Sequence, residues 1–136
     1  MISEDPQIEA FIDDHRWAVL SHLRASGAPV SSMVAYARDG DDLVVSTPGF
    51  TLKMRALRRD GRASLCIISN AEPFNFVNIE GACSVERDDL ERRTRLVFQN
   101  ISGSGYDEPP DLPAWLEAQQ RVILRISPAR VHAVIR

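Results

Sequence analysis

The stretch PVSSMVAYARDGDDLVVST, residues 29–47, decides the fold class. Its first half alternates small polar and apolar residues, as a strand with one buried face does. Asp39 and Gly40 follow, and an Asp-Gly pair accepts the positive φ angles of a tight hairpin turn. The run LVVST, three apolar residues followed by Ser and Thr, then suits a returning strand. The stretch therefore predicts a β-hairpin with strands at 30–38 and 43–47.

Strand patterns continue on both sides of this hairpin. Runs of β-branched and apolar residues predict five further strands, at 16–24, 62–69, 74–87, 121–127 and 130–136. Gly81 is a candidate bulge in the third of them. Periodic or capped segments predict short helices at 6–14, about 51–59, 88–101 and around 113–119. Because most strands are joined by short turns, we predict an antiparallel barrel or sheet with helices at its edges.

Length and composition limit the class of protein. The chain has 136 residues, of which 44% are hydrophobic and 26% charged, and this suits one domain over residues 1–136. No apolar run reaches the roughly 18 residues that a membrane span needs, and the acidic amino terminus lacks the pattern of a secretory signal. The net charge of −3 argues against nucleic acid as the main partner. We therefore expect a cytoplasmic protein that binds neither membranes nor nucleic acids.

The only lysine of the chain, Lys53, lies in the stretch STPGFTLKMRAL, residues 46–57. A strand ends before the Pro-Gly turn, and Thr51 is placed to act as the N-cap of a short helix. Lys53 and Arg55 then fall at the start of this helix, where unpaired backbone N–H groups already create positive potential. Two cations without a partner would be unfavourable at such a position.

A bound phosphate would remove this conflict. It would accept hydrogen bonds from the helix amides, from both cations and from the hydroxyls of Ser46, Thr47 and Thr51. The alternative is that the two cations are solvated or paired with carboxylates, those of Asp41, Asp42 or Asp60. A G-x-x-x-x-G-K-[ST] loop is absent, so nucleotide hydrolysis is not indicated.

The order of these motifs resembles the flavin-binding split-barrel superfamily that includes pyridoxamine 5′-phosphate oxidase. The counterparts here are SGAP, VSSMVAY, DGDDLVVST, KMRALRRDGR and FVNIEGACSV. They look most similar to the branch of flavin- and deazaflavin-dependent reductases, over about residues 10–88. The resemblance implies a mainly β fold, a six- to seven-stranded antiparallel split β-barrel with Greek-key order.

The resemblance also implies a cofactor site. Such proteins are homodimers that hold FMN or the deazaflavin coenzyme F-420 in a groove at the subunit interface. By this likeness the phosphate contacts are Lys53 and Arg55, and the supporting hydroxyls are those of Ser46, Thr47 and Thr51. The backbone that lines the ring system is that of Ser31, Ser32 and Met33. No catalytic side chain and no metal ligand is expected, because the cofactor carries the chemistry.

The chain departs from the family pattern at three points. Ala56 stands where Asn is usual, and Gly61 replaces the usual Pro after Asp60. The sequence also ends at Arg136, without the Arg/Trp-bearing segment that true pyridoxamine phosphate oxidases carry. We therefore do not expect vitamin B6 oxidation to be the main activity.

Three functions stay open. The first is an oxidoreductase that uses F-420 or FMN on a small molecule, with F-420 slightly favoured. The second is a non-catalytic protein for flavin binding, storage or sensing, and the third is pyridoxamine 5′-phosphate oxidation. Tyr106 and Trp115 are candidates for a lid over the substrate pocket. The histidines lack metal-ligand spacing, and we expect solvated or helix-end positions for His15, His22 and His132.

Overall fold

The computed structural model describes residues 1–136 as seven strands and four helices. The strands are β1 (Trp17–Leu23), β2 (Pro29–Ala35), β3 (Ala37–Asp39), β4 (Asp42–Pro48), β5 (Arg62–Ile68), β6 (Phe76–Glu86) and β7 (Arg121–Val134). The helices are α1 (Pro6–Asp14), α2 (Leu52–Arg59), α3 (Leu90–Asn100) and α4 (Leu112–Ala118). None of the four helices combines the length and hydrophobicity needed to cross a membrane.

All seven strands form one antiparallel sheet in the order β2-β1-β5-β6-β7-β4-β3. The edge strands β2 and β3 are consecutive in the chain and are separated only by Tyr36. The sheet must therefore curl until its two edges approach each other at this residue, which produces a half-barrel. Strands β4 to β7 lie in the spatial order β4-β7-β6-β5, the Greek-key order. The predicted mainly β, seven-stranded antiparallel fold is confirmed.

Tyr36 anchors the place where the two edges meet. Its buried hydroxyl donates a hydrogen bond to the carbonyl of Ile12 at 2.6 Å and lies 3.0 Å from that of His15. The side-chain amide of Asn100 donates to the carbonyl of Tyr36 at 2.8 Å and to that of His15 at 3.1 Å. Helices α1 and α3 thus hold the junction from two sides.

The core fills the inside of the curled sheet. Alternating side chains of the strands point inward, and α1 and α2 close the core with Phe11, Ile12 and Leu57. A smaller cluster lies on the outer face, where α3 packs through Val97 onto Val44 and Ile123. Helix α3 therefore covers β3, β4 and the first part of β7, whereas the outer face of β2, β1, β5 and β6 carries half-buried and exposed side chains.

Two predicted strand boundaries are wrong. The strand predicted at 30–38 is two strands, because the chain leaves one sheet edge at Ala35 and joins the other at Ala37. The strands predicted at 121–127 and 130–136 are the single strand β7, which passes through Pro128. From Pro128 onward β7 pairs only with β6, and proline is tolerated on such an edge because its missing N–H faces no second neighbour.

Candidate functional site

Helix α2 begins where the sequence predicts. Thr51 is its N-cap, with a hydroxyl oxygen that accepts from the amide of Met54 at 3.4 Å and donates to the carbonyl of Pro48 at 3.2 Å. The first turn contains Lys53 and no acidic residue. The positive end of the helix therefore carries a further positive charge, as the sequence indicates.

The alternative that carboxylates neutralise this end is wrong. No Asp or Glu oxygen lies within 4.0 Å of the charged groups of Lys53 or Arg55. The three aspartates considered as partners bind other groups: Asp41 the amino terminus, Asp42 the guanidinium of Arg125, and Asp60 that of Arg62. The corner before α2 thus keeps a net positive charge.

A second cation that the sequence analysis did not single out, Arg121, lies at the same corner. Strand pairing sets it opposite Pro48, directly before the loop that leads into α2. Both Arg121 and Lys53 are half-buried. Burial lowers the pKa of Arg121 to about 10, and burial together with the charge of Arg121 lowers the pKa of Lys53. The two side chains therefore form a desolvated positive site without an internal counter-charge.

The three predicted hydroxyls do not share one face. Ser46 points outward beneath α3, where its hydroxyl accepts a hydrogen bond from Thr94 at 3.1 Å. Thr47 is buried and lies on the alternate, inner face of β4. Thr51 is the helix cap and already makes two hydrogen bonds. The carbonyl of Ser46 accepts from the guanidinium of Arg121 at 3.1 Å, so this segment positions Arg121 by its backbone.

Arg55 lies on a different side of α2. It is exposed, whereas Lys53 is half-buried. Residues two positions apart on a helix are separated by about 200° around its axis. Within this chain the structure therefore brings Arg121, rather than Arg55, together with Lys53.

Strand β2 presents the predicted ring-binding residues in alternation. Ser31 and Met33 point outward and are exposed, and Ser31 shares a hydrogen bond of 3.0 Å with Ser21. Ser32 points inward opposite Leu20, and its buried hydroxyl has no hydrogen-bond partner. Because β2 is an edge strand, one side of this backbone segment is unpaired and accessible to a ligand.

A mostly apolar cavity of about 650 Å³ lies between β2 and β1 on one side and α3 and α4 on the other. It is lined by two of the predicted cofactor residues, Met33 and Ser46, and by Arg121. Both lid candidates, Tyr106 and Trp115, also line it. The cavity therefore joins the predicted ring strand to the positively charged corner.

Aromatic side chains form the walls of this cavity. Trp17 and Tyr106 meet edge to face with ring centroids 6.0 Å apart, and Phe98 and Trp115 do so at 5.7 Å. The guanidinium of Arg121 lies 4.1 Å from the centre of the Trp115 ring. Such an arrangement suits a flat ligand with a negatively charged group.

The histidines differ in their surroundings. His15 lies at the end of α1, where its ring bonds to the carbonyl of Phe11, as expected of a helix-end residue. His132 is exposed on the outer face of β7. The solvated position expected for His22 is wrong, because this residue is buried at one end of the barrel. Burial, then the charges of Lys53 and Arg24, lowers the pKa of His22, so its ring is neutral at neutral pH.

Arg121 is the functional candidate that sequence reasoning missed. It stands among apolar strand residues after two glutamines, a context that carries no recognisable ligand motif. Only the pairing of β7 with β4 brings it to the Pro48 loop, 73 positions earlier in the chain. An arginine at the start of a predicted strand could have been recognised as a candidate only if the strand order had also been predicted correctly.

Comparisons with known proteins support the fold. A conserved hypothetical protein from Mycobacterium tuberculosis has a TM-score of 0.79 and 22% identity, and the match covers 98% of this chain and 84% of that protein. An F-420 reductase has a TM-score of 0.73 and 18% identity, with 91% of this chain and 94% of the reductase covered. A heme binding protein from Mycobacterium smegmatis has a TM-score of 0.70 and 20% identity, with 98% of this chain and 55% of that protein covered. At these identities the likeness concerns the fold alone.

Sequence comparison defines the family. No curated protein sequence matches the chain. The family model described as pyridoxamine 5′-phosphate oxidase matches residues 4–135, nearly the whole length. The chain therefore belongs to the pyridoxamine 5′-phosphate oxidase family of split-barrel, flavin-binding proteins.

Proposed function

We propose that the protein is a flavin- or deazaflavin-dependent oxidoreductase of the cytoplasm that transfers hydride or electrons to a small molecule. The observation that carries this proposal is the half-buried Lys53, which lies at the amino end of α2 without a carboxylate partner, while the nearby charge of Arg121 adds to the positive potential there. A phosphate supplies the missing negative charge and accepts hydrogen bonds from the helix amides. Family membership supports a phosphate that belongs to a flavin-type cofactor.

The remaining residues would position the cofactor and exclude water. When bound, the cofactor supplies the hydride or electron chemistry, so no side chain has to act as a nucleophile. The unpaired edge of β2 at Ser31–Met33 offers backbone groups to the polar edge of a ring system. The aromatic walls formed by Trp17 and Phe98 make the adjoining cavity apolar, which strengthens electrostatic contacts inside it.

The proposal includes a second copy of the chain. Ser31 and Met33 lie on the outer face of β2, where α3 and α4 border only the cavity at Met33, and Met33 is 57% exposed. On the neighbouring strands the same face carries apolar side chains, those of Val19, Cys66, Ile68 and Phe76. A partner seated there would bury this face and close the ring side of the site. The site of one chain is thus open, and a homodimer would complete it.

FMN and F-420 remain the two candidate cofactors, and the fold shared with an F-420 reductase supports the deazaflavin. Fluorescence titration of cofactor-free protein with each compound decides between them. We expect one of the two to bind at micromolar concentration or more tightly. A protein that binds neither at that level would contradict the proposal.

Replacement of Lys53 by Ala tests the phosphate site. We expect Lys53→Ala to weaken binding of the preferred cofactor by roughly 1–3 kcal/mol, the cost of a lost charged hydrogen bond. The free energy of unfolding without cofactor should change little, because Lys53 makes no ion pair in the protein. Arg59→Ala, at an exposed position in the last turn of the same helix, is the matched control and should keep the wild-type affinity. Equal losses of affinity and stability in Lys53→Ala would instead make this lysine structural.

Turnover separates an oxidoreductase from a non-catalytic flavin-binding or sensing protein. With the cofactor in its reduced form, we expect electron transfer to small conjugated acceptors such as quinones or enones. Tight binding of reduced cofactor without any transfer would favour the binding protein. Oxidation of pyridoxamine 5′-phosphate by the FMN-loaded protein would support the third alternative.

A further inference from the structure

The two unpaired cations of the site face different spaces. Arg121 lines the aromatic cavity between β2 and helices α3 and α4, whereas Lys53 does not. Lys53 instead lies at the start of α2, close enough to His22 for its charge to lower the pKa of that buried ring. The cavity thus has a cation of its own, in addition to the one at the proposed phosphate corner.

The guanidinium of Arg121 has free donors that no protein group uses. Its Nε donates to Oε1 of Gln119 at 2.8 Å, and one Nη1 hydrogen is directed at the carbonyl of Ser46 at 3.1 Å. These two bonds engage two of the five N–H groups of an arginine and hold the plane of the side chain in place. No carboxylate lies within 4.0 Å, although burial lowers the pKa of Arg121 to about 10. A half-buried cation of this kind gains most from an anion that enters the cavity.

The shape of the cavity selects a flat ligand. Trp115 stacks under the guanidinium at 4.1 Å, and Phe98 packs against the edge of Trp115. The second aromatic pair, Trp17 and Tyr106, stands on the side of β1 and β2. The volume of about 650 Å³ lies within the range of small-molecule sites, about 300–1,000 Å³. Asp107 lies on the exposed rim of the cavity, and its charge disfavours a ligand that carries a second negative group at the entrance.

We infer that this cavity binds a planar aromatic monoanion, a fused ring of about two cycles that carries one carboxylate, as the substrate. Arg121 holds the carboxylate through its free donors, and the aromatic pairs hold the ring. Arg121 is thus a specificity-determining residue, separate in role from Lys53. As a statement about the substrate this inference rests on the proposed function, but the binding itself does not depend on it.

Calorimetric titration with 2-naphthoate and its neutral analogue 2-naphthamide tests the inference, both on cofactor-free protein and on protein saturated with FMN or F-420. We expect the naphthoate to bind at least tenfold more tightly than the amide in both forms. Arg121→Met should reduce this preference to within about twofold, and Arg121→Lys should restore part of it. Lys53→Ala should lower the cofactor affinity, and it should change the naphthoate affinity much less than Arg121→Met does.

Exposed Arg130→Met serves as a control for the loss of one positive charge, and circular dichroism checks that each variant is folded. The inference is overturned if the amide binds as tightly as the naphthoate, or if Arg121→Met keeps the preference. It is also overturned if the cofactor displaces the naphthoate and Arg121→Met weakens both, because Arg121 would then be a phosphate contact. If Arg121 is a phosphate contact, the inference about the substrate is wrong but the proposed function still holds. If the protein binds naphthoate normally but binds neither cofactor, only the proposed function is rejected.

Discussion

Glu86 of β6 is a single carboxylate that binds two arginines, Arg93 of α3 and Arg125 of β7. It accepts hydrogen bonds from the hydroxyl of Ser84 at 2.6 Å and from the guanidinium groups of Arg93 at 2.9 Å and Arg125 at 2.7 Å. Burial alone would raise the pKa of the Glu86 carboxyl, but these donors outweigh it and hold the pKa at about 2. The carboxylate therefore stays charged across the physiological range.

Stability should fall in acid because of this residue. The folded pKa of about 2 lies below the ordinary value of 4.5, so the charged carboxylate stabilises the fold above that value and loses its effect as the pH drops from about 5 to about 2. The gap corresponds to about 3 kcal/mol. Urea unfolding at a series of pH values should show a shallower pH dependence for Glu86→Gln than for the wild type.

The control for this measurement is Glu80→Gln. Glu80 is exposed and its nearest cation, on Arg130, is 4.0 Å away, so the variant should retain the wild-type slope. An acid profile that is the same in Glu86→Gln and wild type would show that the three donors do not stabilise the charged form.

For single residues, the sequence is informative where a side chain conflicts with the preference of its local structure. Lys53 stands out because it conflicts with the dipole of its own helix, and this conflict needs no tertiary structure to be seen. Arg121 and Glu86 break no local rule. The role of Arg121 arises from a strand pair with a residue 73 positions earlier, and that of Glu86 depends in part on Arg125, 39 positions later. Such roles become visible only once the strand order is known.

Among the elements, the β-bulge between β6 and β7 has the clearest physical cause. Glu80 pairs with Arg130 and Gly81 pairs with Pro128, so Ala129 of β7 is an extra residue without a partner in β6. The sequence placed the irregularity correctly at Gly81, but the bulged strand is β7 and not the strand that contains the glycine. A Cβ atom at Gly81 would lie 2.0 Å from the carbonyl oxygen of Ser127. Pro128 of β7 pairs with Gly81 of β6, so the proline and the glycine lie at the same register shift on neighbouring strands.

Gly81→Ala should therefore destabilise the protein by about 1–3 kcal/mol or more, because the clash is with backbone and cannot be relieved by a rotamer change. The midpoint of urea unfolding measures this loss. Ala82→Val adds more bulk at the next, exposed position and should change stability by less than about 0.5 kcal/mol. If both variants unfold at the wild-type midpoint, β7 can move away and the bulge is not tightly packed.

Helices and hairpins were predictable because their signals are local. The bounds of α1 and the cap of α2 agree with the sequence patterns, since each depends on residues within one helical turn. The division of 30–38 at Tyr36 was not predictable, because both halves have strand character and only the closure of the sheet sends them to opposite edges. The continuity of β7 through Pro128 was likewise hidden, since proline signals a break unless an edge position is known.

At the scale of the whole molecule, the two halves of the outer sheet face differ. Under α3 the residues Val44 and Ile123 are fully buried. On β2, β1, β5 and β6 the corresponding positions stay partly accessible, and Met33 is more than half exposed. An apolar sheet face of this kind is unfavourable in water and is typical of an interaction surface. The predicted ring strand lies at the border of this face, so the proposed dimer contact would adjoin the proposed cofactor site.

Charge placed in the middle of this face should therefore separate the proposed dimer. Val19 lies on β1 between Met33 and Cys66, outside the proposed phosphate corner, and points away from the core. Sedimentation should give twice the mass of one chain for the wild type and the mass of a single chain for Val19→Glu, because two opposed carboxylates would be buried without partners. Ala10→Glu adds the same charge at an exposed position of α1 and should stay dimeric. Cofactor affinity should fall in Val19→Glu alone, since the partner would close the ring side of the site. A wild type that sediments as a monomer yet binds cofactor normally would show that one chain suffices for the site.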